Sequence, residues 1–190
     1  MHAALELLEQ KSFGSLSLRE VTREAGVVPT AFYRHFDSMD ELGLALVEES
    51  FGALRGMLRE ARADRQDFEH VIRGSVEILV RHVHANRLHF LFLVRERFGG
   101  NPGIRHAIRS EIRLFASELA TDLSRFPYLN EWSTDDLQMM ARLIVDTMVS
   151  TAEGLLEVPQ TTPELEEEVI RQTERQLLLI ALGVPAWRSE

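Results

Sequence analysis

Cysteine is absent from the 190 residues, which removes disulfides, thiolate metal sites and thiol catalysis from the available chemistry. Positive charge is scarce. The 21 Lys and Arg stand against 30 Asp and Glu, a net charge of −9, so the chain cannot coat nucleic acid through bulk attraction to phosphates. Long apolar runs are missing too: the longest, Leu88 to Val94, is interrupted by His89 and is far shorter than the roughly 20 residues of a membrane span. No signal-peptide pattern opens the chain. These absences predict a cytoplasmic protein with no membrane partner.

No run alternates with period two over a strand's length, whereas apolar residues recur at helical spacing almost throughout. The predicted fold is all-α, with about nine helices. A content of 45% hydrophobic residues is enough for a core in one or two domains.

Leu5 and Leu8 share one face of a first helix ending near Lys11, and the abrupt beginning at Met1 makes this helix read as truncated. Ser17-Leu18-Arg19-Glu20 has the form of a capping box, opening a helix whose stripe is Leu18, Val21 and Ala25. Gly26 then suits a left-handed helix end, and Pro29 the first turn of another helix. The spelling is helix, tight turn, helix. Phe32 and Phe36, four apart, face inward, leaving Thr30, Ala31, Tyr33, Arg34 and His35 on the rim and outer surface.

Ser38 caps a longer helix striped by Leu42, Ala45, Leu46, Ala53, Leu54 and Met57. The charged segment 59–67 is the candidate junction between a small N-terminal module and a larger body; the module is assigned to 1–47 and the body to 48–190. Within the body, Phe68, Ile72, Ser75, Leu79 and Val83 mark one helix and Leu88 to Val94 a short apolar one. Asn101-Pro102 opens the cleanest period of the chain: Ile104, Ile108, Ile112, Phe115, Leu119 and Leu123. Two last helices are expected over about 134–156 and 163–182, with Gly183 and Pro185 as stop signals.

The segment "LSLREVTREAGVVPTAFYRHFDSMDELGLAL" resembles the DNA-binding head of TetR-family repressors, through the spacing of Gly26, Tyr33 and Phe36. Within that family, "SFGSLSLREVTREAGVVPTAFYRHFDSMDELGLALVEES", "FLVRERFG" and "IRSEIRLFASELATDL" are similar to repressors of unsaturated fatty-acid synthesis in Gram-negative bacteria. The resemblance implies a head that binds a double-stranded palindromic operator and a body that senses long-chain acyl thioesters such as acyl-CoA. The sequence departs from the family's pattern at Val28, where a small hydroxyl residue usually caps the recognition helix, and at Met39, where a Lys is usual.

On that reading Thr30, Ala31 and Arg34 reach base edges, Arg34 being suited to a guanine, while Tyr33, His35, Ser17 and Arg19 hold phosphates. Only Lys11, Arg19, Arg23 and Arg34 oppose seven carboxylates in the first 47 residues, so affinity must come from placement and from a homodimer reading two half-sites. Arg95-Glu96-Arg97 has two readings: capture of a ligand's phosphate or carboxylate, or an ion-pair network tying its helix to the head. Leu88, Phe90, Leu91, Phe92, Phe98 and Phe115 fit either a tunnel for an acyl chain or ordinary core. Of these residues, Leu88, Phe92, Arg95 and Phe115 are the ligand candidates.

No metal site is expected, since His82, His84 and His89 lack the i,i+4 spacing of a helical metal clip. No cofactor is implied, and no nucleophile or paired carboxylates suggest an enzyme. The last two helices carry more apolar surface than one chain needs, which predicts a four-helix dimer interface. Two other readings remain open: a TetR-like repressor of another hydrophobic small molecule, and a helical ligand-binding protein whose DNA function has been lost.

Overall fold

The computed structural model describes residues 1–61, 68–159 and 161–189. Among them are nine α-helices and no strand: α1 His2–Leu8, α2 Leu18–Glu24, α3 Pro29–Phe32, α4 Met39–Ala61, α5 Phe68–Ala85, α6 Arg87–Glu96, α7 Pro102–Leu123, α8 Thr134–Glu157 and α9 Pro163–Gly183. Single 3-10 turns lie at Phe13–Ser15 and Val184–Ala186. Two compact units result, one of Met1–Gly56 with Ala85–Ser110 and one of Met57–His84 with Glu111–Glu190. The first unit thus includes α6 and the start of α7 as well as α1–α3 and most of α4, and the position 47/48 falls inside α4. Of the expected junction 59–67, residues 62–67 lie outside the described residues.

In the first unit, α1 packs on α2 and on α6, and α2 packs on α3. The capping box at Ser17 is complete: Ser17 Oγ accepts the Glu20 N–H, and the Glu20 carboxylate accepts the Ser17 N–H at 3.0 Å. The stripe of α2 differs from its expected form. Ala25 is exposed, because the helix ends at Glu24 and Ala25 is already its C-cap. Thr22 fills the buried place instead and satisfies its hydroxyl on the Leu18 carbonyl at 2.9 Å. Ser38 Oγ accepts the Glu41 N–H and opens α4, while Asn101 Oδ1 does the same for Ile104 in α7. The core takes Leu5, Leu8, Phe13, Leu42, Leu46, Phe51, Phe92, Ile104 and Ile108, each at most 3% exposed.

The second unit centres on Ala120, Leu123, Leu129, Leu137, Met140, Ala141 and Val184. Helices α8 and α9 pack together, with the Thr151 and Thr173 hydroxyls 2.8 Å apart in their buried seam. Large apolar side chains are also left uncovered on both helices: Leu143 on α8 and Leu179 and Leu182 on α9 are exposed by half or more. No described helix is long and apolar enough to cross a membrane.

Candidate nucleic-acid interface and effector residues

The turn between α2 and α3 is a Schellman end. The Gly26 N–H donates to the Arg23 carbonyl at 3.1 Å and the Val27 N–H to the Thr22 carbonyl at 2.9 Å. Gly26 has φ +65, which a residue with a Cβ adopts only with strain. The geometry fixes where α3 starts. Phe32 is buried and Phe36 half-buried, their ring centroids 5.4 Å apart, and this apolar root leaves Thr30, Tyr33, Arg34 and His35 exposed. Ala31 is half-buried and sits on the rim. Tyr33 stands edge-on to Phe32 at 5.6 Å, so its ring is braced although the residue is exposed.

At the start of α2, Ser17 and Arg19 are both exposed. Glu20 beside them also receives Lys11 Nζ at 2.5 Å. The bonds from Lys11 and Ser17 hold its carboxyl down to about 2, so it stays ionised and keeps the capping box closed at neutral pH. All seven residues expected to touch DNA therefore lie within residues 17–35 of the first unit: Arg19 on α2 with Ser17 as its N-cap, Thr30 and Ala31 on α3, and Tyr33, Arg34 and His35 in the C-cap and turn that follow α3 at Phe32.

The ligand candidates are distributed differently. Leu88, Phe92 and Arg95 stand on α6 in the first unit, and Phe115, buried on α7, belongs to the second. Leu88 is half-buried and Phe92 is 1% exposed with its ring 6.5 Å from that of Phe13. Phe98, also considered for a tunnel, is 69% exposed beneath the Arg97 guanidinium, which lies 4.6 Å from its centroid.

Arg95 donates from Nη1 to the carbonyls of Leu8 and Glu9 at 2.9 and 2.6 Å, where the end of α1 leaves them without helical partners. The neighbouring Glu96 is buried, and its Oε1 accepts the Phe13 N–H at 2.8 Å. The last turn of α6 is thus bonded to the first 13 residues at two points. The ties of Arg95 and Glu96 run to backbone groups. Sequence reasoning missed Glu96 as an individual residue: nothing in an Arg-Glu-Arg triplet says which member turns inward. It also missed the pairing of His89 with Ser50, whose Nδ1 and Oγ atoms are 3.0 Å apart between α6 and α4, since residues 39 apart carry no local signal. Among the described residues no group of three or more His, Asp or Glu could hold a metal ion.

Two family models match the chain: the bacterial regulatory proteins of the tetR family over residues 1–46 and the tetracyclin repressor-like C-terminal domain over residues 68–179. Solved structures share the fold. The fatty acid degradation regulator FadR from Bacillus halodurans is similar at TM-score 0.70 and 12% identity, covering 100% of this chain and 94% of that one. FadR from Bacillus subtilis in complex with stearoyl-CoA is similar at 0.69 and 13%, covering 94% of each. A putative transcriptional regulator from Pseudomonas aeruginosa PAO1 reaches 0.73 and 17%, covering 98% and 91%. With a family model matching well over half of its length, the chain belongs to the TetR family of bacterial transcriptional regulators.

Proposed function

We propose that this regulator is a cytoplasmic homodimeric repressor that reads a palindromic operator and responds to a long-chain acyl-CoA, in the manner suggested by its likeness to repressors of unsaturated fatty-acid synthesis. The observation that carries the DNA reading is the Schellman turn at Gly26, which sets the start of α3, with Thr30 on that helix and Tyr33, Arg34 and His35 in the turn after it all exposed. Arg34 pairs with a guanine edge, helped by Thr30 and Ala31, while Tyr33, His35, Ser17 and Arg19 hold phosphates. The exposed leucines of α8 and α9 form the dimer interface, and two copies set the half-site spacing.

The acyl-CoA reading is supported by the fold shared with a FadR bound to stearoyl-CoA and by the apolar side chains of Leu88 and Phe92 on α6 of the first unit. Arg95 is assigned the anionic end of the ligand. Its guanidinium lies on the Leu8 and Glu9 carbonyls, so a phosphate that draws it away loosens α1, which packs on α2. Ligand and DNA then shift each other's affinity by the same factor. The DNA half of the proposal is tested by selecting duplexes from random DNA with the purified protein. A palindrome whose binding collapses in Arg34→Ala is the expected result, and enrichment of no sequence refutes it.

A further inference from the structure

Val28 is the N-cap residue of α3, and it makes no side-chain cap bond. Ser, Thr, Asp or Asn at this position would satisfy a free N–H, and forgoing one costs about 1 kcal/mol. The isopropyl group is not tucked away in exchange. Val28 is 64% exposed and Val27 beside it 45%, two adjacent branched apolar side chains left in water. Single exposed apolar residues are ordinary on protein surfaces, but a pair that also replaces a helix cap asks for a partner.

The placement of Val28 is well determined. The Schellman bonds fix Val27, Val28 itself has φ −79 and ψ 151, and the ring of Pro29 locks the next residue. The side chain is therefore held at the leading end of the segment that carries Thr30 and Arg34, the end of a recognition helix that meets base edges in helix-turn-helix proteins. In the major groove the only apolar feature a base pair offers is the C5 methyl of thymine. The contact is one of side-chain carbon and asks nothing of the helix dipole.

We infer that Val28 reads a thymine methyl group in each half-site, and that the missing cap is the stability given up for this contact. The inference rests on the DNA-reading function proposed above. It assigns a specificity-determining role to the residue at which the chain departs from the family's usual cap.

The test uses duplexes recovered by selection from random DNA, remade with each thymine of the half-site replaced singly by deoxyuridine, which keeps the base pairing and removes the methyl. Anisotropy titration is expected to show about a fourfold loss of affinity at one position for the wild-type protein, the size of one buried methyl contact, and no loss there for Val28→Ala. Val28→Ala should melt at the wild-type temperature because the side chain is exposed. Val28→Ser should melt slightly higher through the added cap and be equally indifferent to uracil. Equal wild-type binding of thymine and uracil duplexes at every position overturns the inference and leaves the DNA-reading function standing. Selection that enriches no sequence overturns both.

Discussion

Glu96 Oε1 accepts the backbone N–H of Phe13 across 83 residues of chain, at 2.8 Å and out of contact with water. The other oxygen, Oε2, is buried with no hydrogen-bond partner and stands where a Cβ on Gly99 would fall. One carboxylate thus anchors the 3-10 turn after α1 and also dictates a glycine just beyond its own helix.

Glu96→Ala leaves the Phe13 N–H buried without an acceptor, and a loss of about 1–3 kcal/mol is expected from urea denaturation. Glu96→Gln retains an amide oxygen for that N–H and should lose less. Gly99→Ala pushes a methyl into the carboxylate and is destabilising alone. Combined with Glu96→Ala it should cost less than the sum of the two, since the smaller side chain clears the space. Strict additivity would contradict the arrangement.

His89 gives the first unit a dependence on pH. Burial holds its imidazole below the ordinary value of 6.5, the nearby Glu49 opposing this and His2 adding to it. The unfolded chain therefore takes up a proton more readily than the folded one, so stability falls as pH drops below about 6.5 and is level above it. His89→Asn, which can still bond Ser50, should flatten the melting temperature across roughly pH 5 to 8. A wild-type curve that rises on acidification would have the wrong sign.

Gly26→Ala isolates the backbone of the turn. Nothing lies within 4 Å of the added methyl, so the whole penalty is the left-handed φ, about 1–2 kcal/mol. The melting temperature should fall, and DNA affinity should fall with it because the same turn presents α3. Unchanged DNA binding would separate the turn from the reading surface.

Leu179→Glu with Leu182→Glu places charges at two apolar positions of α9 that are about two-thirds exposed. Light scattering after size exclusion should give twice the 21.7 kDa chain mass for the wild type and the single mass for the variant. A wild-type monomer would remove the two-fold reading of the operator.

The helix-turn-helix was legible in the sequence because its signals are local. A serine cap, a glycine at the left-handed position and a proline in a first turn each act within four residues, and Ser17, Gly26 and Pro29 all sit as their chemistry requires. The α7 stripe was legible for the same reason, with Ile104, Ile108, Phe115 and Leu123 buried at helical spacing. Ala25 escaped because a helix end lies within a residue or two of where a periodic pattern stops. A tie between α6 and the head was one of the two readings of Arg95-Glu96-Arg97, but its partners escaped, since Arg95 and Glu96 bond backbone groups of residues 8, 9 and 13 and such groups leave no mark on a sequence.

The most direct test of a lipid-sensing repressor is an anisotropy titration of the selected operator at two salt concentrations, with palmitoyl-CoA, with oleoyl-CoA and with neither, run on the wild type and on Arg95→Ala. The account predicts that the thioesters shift operator affinity unequally in the wild type and that the shift is largely lost in Arg95→Ala. Specific operator binding that ignores both thioesters would contradict it.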